Sequence, residues 1–134
     1  MGKKSNFQFE NPRVVKFEFG VNEEFDKEKF EGFEINNEVS NAVIEAGKEA
    51  LVKLGISIGQ ENENVPFFCV IEMVAKFWME DEVEEKVFQT CLDVNAPSLL
   101  LSYARPLISL ITSQAGFPTF DLPFVNFMKD TENT

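Results

Sequence analysis

The residue types that most often carry out catalysis or hold metal ions are scarce in this sequence. It contains no histidine, which removes the usual general base and the commonest metal ligand. Its two cysteines, Cys69 and Cys91, match neither a Cys-x-x-Cys redox pair nor the spacing of a zinc site. The seven glycines form neither a P-loop nor a dinucleotide fingerprint. We therefore expect no enzyme activity, no catalytic residue, no metal site and no cofactor.

Acidic side chains are plentiful, but the way they cluster favours solvated surfaces over an acid/base pair. They occur in runs at Glu23-Glu24, over 61–63 and over 80–85, which is typical of exposed loops and helix faces. Tyr103 and Arg105 could belong to an active site, yet Arg105 is better explained by pairing with a carboxylate at an interface. No motif in the sequence predicts a reaction.

The overall charge is strongly negative. Twenty-three Asp and Glu residues oppose twelve Lys and Arg residues, so the net charge is −11. Such a field repels phosphate backbones and anionic membranes and attracts basic partners. We therefore expect neither nucleic-acid binding nor membrane insertion.

Three further features predict a cytoplasmic location. The N-terminus lacks the apolar core of a signal peptide, and no apolar run approaches transmembrane length. The apolar surroundings of Cys69 and Cys91 favour buried free thiols in a reducing compartment over a disulfide.

The aromatic content is dominated by one residue type. Fifteen Phe residues accompany a single Trp and a single Tyr. Phe offers a large apolar surface without a hydrogen-bonding group. This composition suits a hydrophobic core, or a surface that binds apolar segments without selecting their sequence.

Period-two alternation predicts four β-strands in a single domain spanning residues 1–134. Apolar side chains alternate over 15–21, 49–60 and 67–79, and a more polar segment over 33–44 is a further candidate strand. Polar residues between the last two strands favour an antiparallel meander. The segments 1–12 and 128–134 are expected to be flexible.

Two helices are predicted after the strands. The first is a short acidic helix over 81–92 with Val83, Val87, Phe88 and Cys91 facing inward. The second runs from Pro97, which suits a first helical turn, to a C-terminal cap at Gly116.

The second helix is unusual because Arg105 is its one charged residue between 97 and 115. A helix with one solvated face normally carries Lys and Glu there. Its polar stripe instead consists of Arg105 and small hydroxyl residues, namely Ser98, Ser102, Ser109 and Thr112. A small domain has little material with which to cover both sides of a helix, so we predict an oligomer.

The residues after Gly116 predict an extended arm. Pro118 and Pro123 exclude ordinary helix and central strand in this segment. The arm is expected to lie across the domain and to bury its aromatic side chains.

The stretch from Cys91 to Phe127 resembles the SecB family of protein-export chaperones. The matching elements, in order, are Cys91-Leu92, Pro97, Tyr103-Ala104-Arg105, Gly116-Phe117-Pro118 and the run from Pro123 to Phe127. Weaker agreement extends upstream through Phe68, Cys69 and Phe17-Glu18. Nearly the whole chain can be aligned with the family, with differences in the loops.

The resemblance implies an α+β fold in which a four-stranded antiparallel sheet is followed by a long helix. It also implies a dimer of dimers, which is a homotetramer with the helices between two larger sheets. The oligomer interface is then expected on the long helix, at Leu99, Tyr103, Arg105, Leu107 and Ile111.

The function implied by the resemblance is that of an ATP-independent chaperone that holds unfolded polypeptides or preproteins in apolar grooves for export. By analogy the connection between the first two strands lines such a groove through Phe25, Phe30, Phe33 and Ile35. The alternative for these residues is that they anchor a loop.

The family passes its clients to the SecA motor, and Glu18 matches an acidic residue of the sheet surface that serves this contact. Val14 and Val70 stand where further acidic residues are expected, and we expect no counterpart of the family's C-terminal helix after Phe127. The resemblance therefore supports client holding better than SecA docking. Three alternatives therefore stay open: a dedicated chaperone of one partner such as an antitoxin, a small-ligand-binding protein with a pocket between sheet and helix, and a purely structural oligomer.

Overall fold

The computed structural model describes residues 6–128, in which five strands precede one long helical segment. The strands are β1 (Phe7–Phe9), β2 (Arg13–Val21), β3 (Ile35–Glu45), β4 (Glu49–Ile58) and β5 (Phe67–Met79). The helical segment consists of α1 (Glu85–Thr90), a π-helical turn (Cys91–Asn95) and α2 (Ala96–Gln114). The predicted tail at 128–134 lies, beyond Met128, outside the described residues.

All strand pairs are antiparallel, and β5 is the central strand. It pairs with β4 on one side and with both β1 and β2 on the other, while β3 forms the opposite edge beyond β4. The predicted α+β class with an antiparallel sheet and a long helix is confirmed.

The prediction of four strands is wrong, because a fifth strand, β1, precedes the predicted first strand. β1 and β2 lie end to end along β5, separated by Glu10, Asn11 and Pro12. Pro12 has no N–H group and cannot donate to the ladder. The predicted flexible segment over 1–12 accordingly contains a strand, and Phe7 within it stacks on the buried Phe77 at 5.3 Å between ring centroids.

One face of the sheet packs against the helical segment to form the core. Burial alternates strictly along β5, where the odd-numbered residues from Phe67 to Met79 are buried and the even-numbered residues are half-buried. The largest fully buried side chains from sheet and helix include Phe77, Leu54, Ile58, Ile71, Leu100 and Ile108. The opposite face, called the open face below, is not covered by any helix of the described residues.

The two predicted helices form one continuous segment, joined by the π-helical turn. A π-helical turn contains an extra residue, so it rotates the side chains before it relative to those after it. Phe88 is buried and Cys91 is half-buried, as predicted, but Val87 is 48% exposed and the prediction that it faces inward is wrong. Val83 precedes α1 and packs against the core.

The helix ends where the glycine predicted it to end. Gly116 has φ +90°, the left-handed conformation that a helix C-terminus often requires. The following arm is extended, as predicted, and buries Leu122 and Phe127. Phe124 is 77% exposed, so the expectation that all its aromatic side chains are buried is wrong.

The arm covers much of the polar stripe of α2. Arg105 Nε donates to the Leu122 carbonyl oxygen at 2.8 Å, and the Thr112 hydroxyl accepts a hydrogen bond from the Phe120 N–H at 3.0 Å. Ser109 Oγ donates to the Phe120 carbonyl oxygen at 3.3 Å. This part of the stripe is therefore covered by the chain itself and not, as its small hydroxyl groups predict, by a neighbouring subunit. Ser98 and Ser102 are exposed.

Candidate functional site

The geometry of the described residues offers little chemistry. No group of three or more His, Cys, Asp or Glu side chains within 6–128 is arranged to hold a metal ion. Burial raises the pKa of the Cys69 thiol to about 11 and also raises the pKa of Cys91, which disfavours the reactive thiolate in both cases. Both cysteines are free.

A cluster of Phe rings extends from the core to the surface at one end of the sheet. The buried Phe67 of β5 lies at its centre, 5.5 Å from the ring of Phe19 and 5.1 Å from that of Phe117. The rings of Phe33 and Phe120 lie 4.8 Å and 6.0 Å from that of Phe67. These residues come from β2, β5, the arm and the β2–β3 connection, so the fold assembles the cluster from distant segments.

The β2–β3 connection, residues 22–34, carries three of the four residues predicted to bind clients and is called the strap below. The ring of Phe33 packs on those of Phe67 and Phe120. The centroid of the Phe30 ring lies 5.3 Å from that of Phe33 and 5.3 Å from that of Phe25. Phe30 is 36% exposed, while Phe25 and Phe33 are half-buried. The fourth predicted residue, Ile35, begins β3 and is half-buried against the core.

Polar contacts attach the strap to the β4–β5 loop. The Asp26 N–H donates to Asn64 Oδ1 at 2.9 Å, and Asn64 Nδ2 donates to the Asp26 carbonyl oxygen at 2.9 Å. The Asp26 carboxylate also accepts a hydrogen bond from the Glu28 N–H and caps a 3-10 turn at Lys27–Lys29. The strap is thus ordered by the paired bonds between Asp26 and Asn64 and by the packing of its Phe rings.

A concavity of about 350 Å³ lies on the open face, and a larger one of about 620 Å³ lies beside Phe33. The larger concavity is lined by strap and loop residues, namely Lys29, Glu31, Gly32, Phe33, Glu34, Glu63, Asn64 and Val65. It therefore combines an aromatic wall with a rim on which carboxylates outnumber ammonium groups.

The residues predicted to form an oligomer interface occupy different environments on α2. Tyr103 is 40% exposed, while Leu99, Leu107 and Ile111 are half-buried. Arg105 contacts the arm, where its guanidinium carbon lies 4.0 Å from the centroid of the Phe124 ring. Within residues 6–128, no ion pair joins Arg105 to a carboxylate. Leu110, also on α2, is 58% exposed.

A second apolar surface, which the sequence argument did not assign to an interface, lies along the edge strand β2. Val14, Val15, Phe17 and Val21 are all exposed there. Three of these residues point to the core side of the sheet, because they pair with buried residues of β5: Val14 with Met73, Phe17 with Ile71 and Val21 with Phe67. They stay exposed because the helical segment does not cover them. The alternation of apolar residues in this segment was visible in the sequence, and its position at an edge was not.

The open face carries charges of both signs. Glu18 lies there opposite Val70, and its carboxylate is 3.8 Å from the Lys16 ammonium group. Two further ion pairs on this face join Lys53 to Glu72 at 3.0 Å and Lys76 to Glu49 at 2.6 Å. Val14 lies on the core side of the sheet, because an irregularity between Val14 and Lys16 shifts the register.

Comparison with known proteins identifies similar sequences. The family model described as preprotein translocase subunit SecB matches residues 7–130. The protein-export protein SecB of Anaplasma marginale (strain Florida) is 34% identical over 77 residues, which are 57% of this chain and 44% of the relative. That of Neorickettsia sennetsu is 34% identical over 91 residues, 68% of this chain and 54% of the relative. The chain spans about half the length of the curated relatives it matches.

Solved structures show the same fold at low sequence identity. A SecB-like chaperone of Mycobacterium tuberculosis, in complex with a peptide from an antitoxin, has a TM-score of 0.64 and 17% identity, covering 90% of this chain and 91% of its own. A protein of unknown function from Streptococcus agalactiae has a TM-score of 0.58 and 18% identity, and the match covers 91% of this chain and 100% of that protein's chain.

Proposed function

Because this chain belongs to the SecB family, we propose that it is an ATP-independent chaperone that holds unfolded polypeptides or preproteins for export. The observation that carries the proposal is the cluster of Phe rings that reaches the surface at Phe30 beside an open concavity of about 620 Å³. Phe30 is 36% exposed there, and the lining of the concavity includes the apolar side chains of Phe33 and Val65, to which unfolded apolar segments can bind.

The proposed mechanism is burial of apolar client segments. Each Å² of apolar surface removed from water contributes roughly 25 cal/mol, so a few client side chains suffice for reversible binding. Phe rings present no hydrogen-bonding group and therefore impose little sequence preference. The contacts proposed for clients are those of Phe25, Phe30, Phe33 and Ile35.

Charge complements this apolar surface. Glu31, Glu34 and Glu63 lie at the rim of the concavity, and the whole chain has a net charge of −11. Clients rich in Lys and Arg are therefore attracted, and the loaded complex keeps a net charge that opposes aggregation.

We propose that the functional unit is a homotetramer. Its interfaces would use the exposed apolar residues of α2 around Tyr103 and those of β2 around Val15 and Val21. Arg105 would contribute by fixing the arm beside this surface. Several client sites in one particle raise the affinity for a long unfolded chain through multivalency.

A dedicated chaperone of an antitoxin is the second candidate. It is favoured by the open face, where carboxylates at Glu18, Glu49 and Glu72 are each within ion-pair distance of a lysine. These ion pairs argue against docking of the SecA motor through Glu18, because that contact would need an acidic surface and each of these carboxylates has a lysine beside it. The structural neighbour from Mycobacterium tuberculosis was solved with an antitoxin peptide.

We also retain the predictions of a cytoplasmic location and of a non-enzymatic function. In the described part of the chain, no helix is both long enough and apolar enough to span a membrane. The position proposed for a small ligand, between sheet and α2, is filled by core side chains such as Phe77 and Leu100.

The proposal is tested by light-scattering chromatography of the protein alone and mixed with reduced, carbamidomethylated ribonuclease A, a permanently unfolded basic chain. We expect a particle of four times the 15.3 kDa chain mass that forms a stable complex. Phe30→Ser should weaken the complex about three- to tenfold, because it removes an exposed aromatic contact.

Val87→Ser is the matched control, since it removes an exposed apolar side chain from α1 outside the proposed surface. Equal losses from both variants would show that the Phe30 surface is not the client site. Absence of any complex with the unfolded chain would contradict the holdase function itself.

A further inference from the structure

Phe33 is the Phe residue of the strap that packs against the hydrophobic core, and we propose that it is an internal occupant of the client site. This inference rests on the proposed function, but it changes the role given there to Phe33 from client contact to displaced occupant. Its ring holds the space that an apolar or aromatic client side chain takes once the strap lifts. The client then replaces Phe33 on Phe67 and Phe120, and binding is regulated by the strap.

The ring contacts of Phe33 are those expected of a bound aromatic side chain. It packs on Phe67 at 4.8 Å and meets Phe120 edge-on at 5.2 Å between centroids. Its Cδ1 lies 3.6 Å from the position that a Cβ on Gly59 would occupy, so the strand end is close beneath it. The site is therefore complementary to one aromatic ring.

The backbone that carries this ring is weakly attached. Among residues 6–128, no backbone–backbone hydrogen bond is made by Glu31, Gly32 or Phe33, and the next one is donated by Gly59 to the Glu34 carbonyl oxygen. Gly32 has φ +100°, and no atom lies within 4 Å of the position that a Cβ would occupy there, so it can act as an unobstructed pivot. The ring is held by packing rather than by its own main chain.

The strap also has a release point and room to move. On the N-terminal side of Phe33, two hydrogen bonds connect Asp26 to the exposed Asn64. The concavity of about 620 Å³ lies beside the ring and is lined by Asn64 as well as by Phe33. Breaking the Asn64 contacts would let the strap move away from the body without disturbing the sheet.

Internal occupancy has a definite effect on binding. A client that requires the open strap binds with an apparent affinity reduced by the fraction of molecules that are open. Changes that favour the open strap must therefore strengthen binding, whereas removal of a client contact must weaken it. If Phe33 were a client contact, Phe33→Ala would weaken client binding. If Phe33 is the occupant that a client displaces, Phe33→Ala strengthens client binding.

The test compares Phe33→Ala and Asn64→Ala by titration of the full chain into fluorescently labelled, reduced, carbamidomethylated ribonuclease A. We expect each variant to bind about tenfold more tightly than the unaltered protein. Asn64→Ala leaves the aromatic cluster intact, so it tests the inference even if Phe33→Ala fails to fold. Asn62→Ala is the control, because Asn62 is exposed in the same loop and outside the contacts with Asp26.

Each outcome decides the inference. Binding by the unaltered protein with no gain in either variant would overturn it and leave the proposed function standing. Binding by the variants alone supports it, since the strap would then block the site completely. If none of the proteins binds, the proposed function and the inference fail together.

The rate of hydrogen exchange at the Asp26 amide gives a second test, because lifting of the strap and covering of a closed strap change this rate in opposite directions. The amide of Asp26 is protected by Asn64 Oδ1 in the closed strap. Client binding should accelerate exchange of this amide by at least about threefold if the strap lifts, through loss of that protection. Slower exchange on binding would show that clients cover a closed strap, and would refute displacement.

Discussion

Arg105 organises a segment that has no regular secondary structure. Its Nε donates to the Leu122 carbonyl oxygen, and its guanidinium group lies over the exposed ring of Phe124. The planar guanidinium group can hydrogen-bond and stack on an aromatic ring at the same time, which an ammonium group does poorly. A single side chain on α2 thus fixes the position of an arm 17 residues further along the chain.

We predict that Arg105→Lys loosens the arm and lowers the free energy of unfolding by about 1–2 kcal/mol, because it removes a charge-assisted hydrogen bond and a stacked contact. Urea denaturation measures the loss, and hydrogen exchange over 117–127 locates it. Arg13→Lys is the control, since Arg13 is exposed on the open face. A similar loss in both variants would mean that Arg105 has no special role.

Cys69 provides a prediction of pH dependence. Burial raises the pKa of its thiol from 9.0 to about 11. The neutral thiol is therefore favoured in the folded state, and the resulting stability is complete below pH 9 and is lost as the pH rises towards 11.

The measurement is chemical denaturation between pH 8 and 11, compared with a Cys69→Ala variant. The Cys69→Ala protein should show a smaller fall in the free energy of unfolding over this range. At pH 8, thiol labelling of the folded protein should modify Cys91 before Cys69, because Cys69 is 1% exposed and Cys91 is half-buried. Faster labelling of Cys69 would contradict the assignment.

The end of α2 depends on one glycine. Gly116 has φ +90°, which costs a residue with a side chain roughly 1–2 kcal/mol, although the space around it is empty. We predict that Gly116→Ala destabilises the protein by about 1 kcal/mol, measured by thermal or urea unfolding.

Gly55 of β4 offers the matched comparison. Its backbone is not in the left-handed region, and an added Cβ would meet only ordinary contacts, the nearest being Glu72 Cγ at 3.7 Å. Gly55→Ala should therefore be neutral or stabilising by about 0.5 kcal/mol, because it restricts the unfolded chain. Equal destabilisation by both alanines would show that backbone strain at Gly116 is not the cause.

At the level of elements, periodicity predicted what depends on local pattern. The alternation over 67–79 identified β5 with its bounds, because burial alternates strictly along this central strand. β1 was missed because three residues are too few to show an alternation, although Pro12 marks the break that follows it. The π-helical turn at Cys91–Asn95 was missed because no local signal in the sequence predicts it.

On the scale of the whole molecule, the proposed tetramer would bury the exposed apolar surfaces of β2 and α2. Val21 at the end of β2 is 51% exposed and Leu110 on α2 is 58% exposed. We predict that Val21→Asp and Leu110→Asp each shift the particle to a smaller assembly, because an aspartate cannot be buried unpaired in an apolar interface. Light scattering measures the mass.

Val87→Asp is the control for this experiment, since Val87 is comparably exposed on α1 and belongs to neither surface. If all three variants keep the mass of the unaltered protein, the interfaces lie elsewhere. If all three reduce it, the effect comes from added charge alone.

The candidate site could be predicted from the sequence only with the help of the family resemblance. Phe25, Phe30 and Phe33 were identified in this way, and their joint cluster with Phe67 and Phe120 was not. Contacts between residues so far apart in sequence follow from the sheet register and from the path of the arm. No local pattern encodes either of these.

The central position of β5 determines when this protein can fold. β3, β4 and β5 pair as successive neighbours, but Phe17 of β2 pairs with Ile71, which is 54 positions later in the chain. Pairings over such distances form slowly, and during translation they must wait for the later strand to leave the ribosome. Until residue 79 has emerged, the aromatic side chains of β1, β2 and the strap have no sheet to cover them. Until that point in its own synthesis, the nascent chain has the properties of the polypeptides that it is proposed to hold.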